Sequence, residues 1–492
     1  MAVSVTPPAF LSRGLSDDEQ SLVNRLNNRR TTLLPQLQLM DAYYNGNQLI
    51  RDLGISIPPQ VRGLHTVVGW PQIAVDSLDE RLDVEGFRYA SSSDGDDELW
   101  NIWQANNLDE ESQLAHLDAL IYGCAYASVG TNDDGSPLVT VESARDMSVL
   151  WDPRWREITA ALRVYGGDEF GRHLQATLYL PNATVMLEQG SVDGWDVVER
   201  DDHRLGVVPV ARLANRQRVS DRDGRSEITA QVMSITDAAC RTLLGMEVAR
   251  EFYAAPQRYI LGASESAFVA ADGSAKTAWE TYLGRVLALE RDEDGNVPSV
   301  GQFTPYDPSA YTKIMDVYSE QFSAVSKLPA HMLGKTSQNP ASADAIRSAE
   351  NGLVKRAERR QKSFSGGWET VMRLALRMSN GGALPDEAKN IETLWAKAST
   401  PTPAATTDSV MKQVAGGAIP ATSDVTREQL GYSVIERQRL KIDDQTSGTE
   451  ELLAQVAHSF IAKDARTDKT IARDLNGGTG GKPSPTLPNV AQ

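Results

Sequence analysis

Apolar positions along the chain fall into distinct regimes. Residues 16–50 carry a helical pattern. Ser16 is placed to cap it, Asp17, Asp18 and Glu19 suit the positive end of a helix dipole, and Asn45-Gly46 marks the turn that closes it. Further helices are expected over 66–82 and 97–121. From 123 to 214 the pattern shortens to strand lengths. Residues 138–141, 160–165, 175–180 and 185–187 alternate or run apolar, with turn signals at Asp134-Gly135, Gly166-Gly167 and Pro181-Asn182 between them. An antiparallel sheet region is predicted there.

At Ser226-Glu227 the period returns to 3-4, with Ser226 as expected N-cap and Glu227 in the first turn. Ile228, Val232, Ile235, Ala239, Leu243 and Met246 follow that spacing, and no proline intervenes before Pro256. A helix of about 30 residues is roughly 45 Å long. The usual helix has about 11 residues, so this length points to a rod, a bundle or a coiled assembly. Residues 262–307 are a mixed insert, with a short helix expected over 275–283, a strand over 285–289 and a tight turn over 292–296. A second helix over 309–327 carries Tyr311, Ile314, Tyr318, Phe322 and Val325 on one face. A loop punctuated by Pro329, Gly334 and Pro340 follows. A third long helix, capped by Ser342, runs to 379 on a stripe of Ile346, Ala349, Leu353, Ala357, Phe364, Trp368, Val371 and Ala375, with a kink or weak point expected at Gly366-Gly367. Residues 400–405 read as a linker, and 407–474 as helices broken at Ile419-Pro420. The Gly-, Pro-, Thr- and Ser-rich end is expected to be disordered.

The chain has 492 residues, 41% of them hydrophobic, which suits about three domains or one elongated subunit with a substantial core. Its net charge of −17 excludes a protein that grips nucleic acid with its whole surface. Between Asp76 and Glu111 there are twelve acidic residues against Arg81 and Arg88. That run reads as a solvated acidic face, or as a surface that repels DNA or recruits a basic partner. Cys124 and Cys240 form no Cys-x-x-Cys pair and read as buried small hydrophobes. The N-terminus lacks the basic and apolar regions of a signal peptide, and no window of about 18 apolar residues suits a membrane span.

Chemistry is sparse. Leu333-Gly334-Lys335-Thr336 holds a fragment of a phosphate-binding loop, but Pro329 stands where its first glycine belongs. The six histidines show no metal-ligand spacing. No catalytic residue, metal site or cofactor is expected. One run stands out in an acidic protein: Lys355, Arg356, Arg359, Arg360 and Lys362, interrupted only by Glu358 among charged residues. It reads as a solvated helix face or subunit salt bridges, or else as contacts to phosphates or to a neighbouring subunit.

Several segments, in this order, resemble the tailed-bacteriophage portal protein family, in the branch common in phages of Gram-positive and actinobacterial hosts. They are Tyr43-Tyr44-Asn45-Gly46, Tyr122-Gly123-Cys124-Ala125-Tyr126, the strand from His203 to Val210, Gly224-Arg225-Ser226-Glu227-Ile228, and the two segments 328–334 and 339–346 that flank the Pro-bounded loop. Leu430-Gly431-Tyr432-Ser433, within 424–437, belongs to the same series. The resemblance implies an α+β portal fold: a wing over 1–225, stem helices over 226–261 and 308–327, a clip over 262–307, a tunnel loop over 328–341, a long kinked helix over 342–379, a crown over 380–474 and a tail over 475–492. Arg225, Ser226 and Glu227 would open the stem. Lys335, Thr336, Ser337, Gln338 and Asn339 would face the DNA channel, with Pro329, Gly334 and Pro340 bounding the loop.

The same resemblance implies a non-enzymatic dodecameric ring of identical copies at one capsid vertex, assembled in the host cytoplasm. Its partners would be the terminase large subunit, a head–tail connector, the major capsid and scaffold proteins, and double-stranded DNA, with no membrane. The alternatives are another head-completion or minor capsid protein, or a metal-dependent nuclease.

Overall fold

The computed structural model describes residues 14–49, 66–92, 95–166, 175–189, 195–253, 258–262, 297–302, 307–335, 343–399, 403–432, 436–437 and 439–444. The helix, strand and turn expected inside the insert, Ser342, Thr336 to Pro340, and the C-terminal tail lie outside these. The chain forms two compact units, Met1–Ala398 and Ser399–Gln492.

The first unit mixes helix and sheet, as the pattern predicts. Helix α1 (Asp17–Tyr44) starts at a capping box in which Ser16 and Glu19 satisfy each other's backbone N–H groups. Pro35 lies inside it, and a proline leaves the carbonyl four residues earlier without its helical partner. The helix continues through Pro35, which separates two jobs. Val23 and Leu26, before Pro35, are buried with the five-stranded sheet, whereas Leu37, Met40 and Tyr43, after it, enter the main core. That sheet is an antiparallel meander of β4 (Met147–Asp152), β5 (Glu157–Tyr165), β6 (Gln175–Tyr179), β7 (Thr184–Gln189) and β8 (Trp195–Asp201).

The main core is built on a second, three-stranded sheet in the order β3 (Pro137–Ser143), β2 (Cys124–Thr131), β9 (Val210–Ala214). Helices α2 (Trp70–Asp79), α3 (Asp97–Ala105) and α4 (Leu108–Tyr122) belong to the same core. The single helix expected over 97–121 is two helices. Asn107 takes the left-handed conformation, φ 51°, which Asn tolerates better than most residues. Asn106 fastens the break, its Oδ1 accepting from Val139 N at 2.8 Å.

Helices α5 (Ala230–Tyr253) and α6 (Ser309–Ser326) pack on each other, with Gly245 facing the Tyr311 ring. Strands β10 (Arg258–Leu261) and β11 (Ser299–Gln302) pair antiparallel between them in sequence. The apolar face expected on α6 divides. Phe322 is fully buried, but Ile314 and Val325 are exposed, as is Val317 at 50%.

Helix α7 (Ala343–Ser379) runs through Gly366-Gly367 without interruption. Gly367 serves close approach: a Cβ there would lie 2.7 Å from Leu213 Cδ2 and 2.9 Å from Arg212 O on β9. Its predicted stripe is buried from Leu353 to Ala375, and Ile346 is exposed. Strand β12 (Ile391–Trp395) pairs antiparallel with β1 (Val84–Tyr89), so residues up to Ala398 belong to the first unit. In the second unit, α8 (Pro403–Ala415) and α9 (Asp424–Gln429) pack together, and Arg427 pairs with Asp444.

Candidate functional site

The chain passes from β9 to α5 through a tightly fixed crossing. Gly123 and Gly224, at φ +99° and +94°, lie against each other. A Cβ on Gly224 would sit 2.1 Å from Gly123 O, so only glycine fits. Asn215 N donates to Gly123 O at 2.8 Å, Arg225 N donates to Asn215 O at 2.7 Å, and Glu227 N donates to Leu120 O at 2.9 Å. These bonds hold residues 224–227 against the end of α4.

The long helix therefore does not open at Ser226. Ser226 and Glu227 are buried before it, Ser226 Oγ accepts from Ile228 N, and Thr229 Oγ1 accepts from Val232 N at the helix start. The expected capping role fails because the backbone of Glu227 is engaged with α4 rather than with its own helix. Arg225 points outward and pairs with Asp221 at 3.0 Å.

Glu227 is 3% exposed and is the centre of a charged cluster. Its Oε1 accepts from Arg360 Nη2 at 2.5 Å, Arg360 Nε at 2.8 Å and Asn215 Nδ2 at 3.1 Å. Its Oε2 accepts from Arg356 Nη2 at 2.5 Å, with Arg216 Nη1 at 3.7 Å. Burial works to raise the Glu227 pKa, but the fields of Arg360, Arg356 and Arg216 hold it below the usual carboxylate value. Glu227 is thus ionised and clamped between the start of α5 and the middle of α7.

This divides the basic run. Arg356 and Arg360, one turn apart, face inward, which corrects the expectation that they meet phosphate or a neighbour. Lys355, Arg359 and Lys362 are exposed. Lys355 pairs with Glu358, and among the described residues neither Arg359 nor Lys362 makes a salt bridge. One signal pointed to this arrangement. Arg360 falls between Ala357 and Phe364 in the apolar stripe, where a solvated charge does not belong.

Of the predicted tunnel loop, Pro329 to Lys335 are described. They form a 3-10 turn (Ala330–Leu333) closed by Gly334 at φ 83°, a left-handed position that favours glycine. Lys335 Nζ donates to Glu320 Oε1 at 2.7 Å and lies 3.5 Å from Asp316 Oδ1, both on α6, and these contacts raise its pKa. The loop's first cation is therefore paired within its own subunit.

Other sequence readings find plain structural places. His116 is fully buried, stacked on Phe364 with ring centroids 5.1 Å apart, and its Nε2 accepts from Trp368 Nε1 at 2.8 Å. Burial lowers its pKa to about 3, a backbone contact with Leu82 acting the other way. Both cysteines are buried free thiols. Among the described residues, no group of three or more His, Cys, Asp or Glu side chains could hold a metal ion, and no helix is long and apolar enough to cross a membrane.

Comparison with known proteins gives these parts a family. The model of the phage portal protein family, SPP1 Gp6-like, matches residues 23–426. The chain is 37% identical over 413 residues to the portal protein of Mycobacterium phage D29, covering 82% of this chain and 84% of that one. It is 36% identical over 462 residues to the portal protein of Mycobacterium phage L5, covering 92% and 90%. Among solved structures, a chain from the virion of a native gene transfer agent particle aligns at TM-score 0.42 and 15% identity, over 81% of this chain and 93% of that one. The match from the first helix to Thr426 spans the Glu227 cluster, the α5–α6 pair and α7, and the chain belongs to the phage portal protein family, SPP1 Gp6-like, a structural component of the capsid and not an enzyme.

Proposed function

We propose that identical copies of this chain close into a ring, a dodecamer, at one capsid vertex. Through it double-stranded DNA is packaged and later ejected. The ring is assembled in the host cytoplasm with the scaffold and major capsid proteins. The terminase large subunit docks on it first, and a head–tail connector later takes that place. The observation that carries the ring is the α5–α6 pair. Ile314, Val317 and Val325 remain exposed on a long helix that one subunit does not cover, and such faces are buried by like copies in closed symmetry.

A net charge of −17 supports a channel wall along which DNA slides without sticking. In this reading Thr336, Ser337, Gln338 and Asn339 touch the passing backbone, with Pro329, Gly334 and Pro340 bounding the loop's motion. Lys335 exchanges Glu320 and Asp316 for phosphate as DNA passes, since exposed ion pairs hold loosely. Gold labelling of a C-terminally tagged chain in intact particles tests the placement. Label at a single vertex per particle is expected, and label spread over the shell contradicts it.

A further inference from the structure

A cleft of about 550 Å³ opens in the first unit between the start of β5, β9 and α7. Arg156, Arg222, Arg373 and Arg377 line it, with Glu157 as the one carboxylate among the lining residues. Arg377 donates to the Leu205 carbonyl and Arg373 to Thr370 Oγ1 and the Lys389 carbonyl, all uncharged acceptors. None of these four arginines makes a salt bridge among the described residues. The floor is apolar, with Val207, Leu374 and Leu384. Glu369 partly offsets Arg373, and Asp223 pairs with a fifth lining arginine, Arg212, but with Glu157 as the one carboxylate in the lining the cations remain in excess and repel one another until an anionic group arrives.

The floor and the size decide the kind of anion. A cleft of this volume takes a few side chains and not a 20 Å duplex, and an apolar bed inside a cationic rim suits a segment that alternates carboxylates with an aliphatic residue. The first unit displays such a segment on α4. Glu110 is exposed and Glu111 half-buried, with Leu114 beside them at 52% exposure and Asp118 one turn on. A ring joins two different patches of each subunit, head to tail, so its interface needs one patch of each kind.

We infer that the arginine-lined cleft receives the Glu110–Glu111–Leu114 face of α4 from the neighbouring copy in the ring. This rests on the ring reading above and deepens it.

The test uses the full chain, with ring and monomer separated by size-exclusion chromatography with mass detection, and fold checked by circular dichroism. The variants are R156E/R222E, E110R/E111R and the two combined. Either reversal is expected to raise the concentration needed for ring formation at least tenfold, and the combination to restore most of it. L114D, at an exposed position, is expected to weaken the ring without changing the melting curve. Reversals and L114D that leave assembly unchanged, or a combination that fails to rescue, overturn the inference and leave the ring reading intact. Loss of duplex DNA binding by R156E/R222E with normal rings also overturns it and assigns the cleft to nucleic acid. A wild-type chain that stays monomeric at high concentration with scaffold protein added overturns both readings.

Discussion

Glu227 accepts both Nε and Nη2 of Arg360 through a single oxygen, at 2.8 and 2.5 Å, across 133 residues of sequence. The bond ties the segment that enters α5, the helix leading toward the insert, to the helix that follows the predicted tunnel loop. Any displacement of that loop carried by α7 meets this buried charge, and the crossing at Gly123 and Gly224 fixes the other side.

Removing Glu227 leaves Arg356 and Arg360 without their carboxylate. E227A is expected to lose about 3–5 kcal/mol of stability by urea unfolding, because a buried charge left alone is costly. A paired E227M/R360M replacement is expected to lose less than E227A. A loss under about 1 kcal/mol for E227A contradicts the cluster's role. The pH sign follows from the lowered pKa. The stabilisation is present above the usual carboxylate value and is lost as pH falls through the lower folded value.

His116 sets a second pH dependence. Its pKa falls from 6.5 to about 3 in the folded chain, so the unfolded chain binds the extra proton between those values. Stability is full above pH 6.5 and declines toward pH 3, at about 1.4 kcal/mol per pH unit, or about 2 kcal/mol by pH 5. Asp79 and Glu142, both raised to about 7 chiefly by burial, act with the opposite sign, stabilising the fold as pH falls toward their unfolded values. Melting curves at pH 7 and pH 5 for wild type and H116Q isolate the histidine. The wild type is expected to lose more on acidification, and equal losses contradict the assignment.

The two neighbouring glycines of α7 are expected to differ. G367A drives a Cβ into Leu213 and the Arg212 carbonyl and should cost about 1–3 kcal/mol. G366A meets no atom within 4 Å on a helix and should be neutral, or stabilise by about 0.4–1 kcal/mol. Thermal unfolding of both variants checks this, and equal shifts contradict the close approach of α7 to β9.

The periodicity of single elements was legible where one face alone decides it. The stripe Leu353 to Ala375 and the strands around 138–187 needed only local pattern, and both appear. Long-range pairings were not legible. Ile391–Trp395 joins β1 across some 300 residues (Tyr89 with Ile391, for example), and no local signal marks that partner. Glu227 looked like a first-turn acid, because Ser226-Glu227 before an apolar run is the ordinary signature of a helix start. Its burial depends on the glycine crossing and on two arginines far along the chain. Asn106-Asn107 carries no such signal, because the apolar pattern stays helical on both sides of it. The fold class and family were readable from the order of weak segments, whereas the residues that lock the fold together emerge only in three dimensions.

The central claim is that this chain works as a closed ring. Native mass spectrometry of the purified full-length protein tests it most directly. One dominant species near twelve times the 53.7 kDa of a single chain is expected. Monomers or dimers alone, at concentrations high enough for assembly and with scaffold protein added, would contradict it.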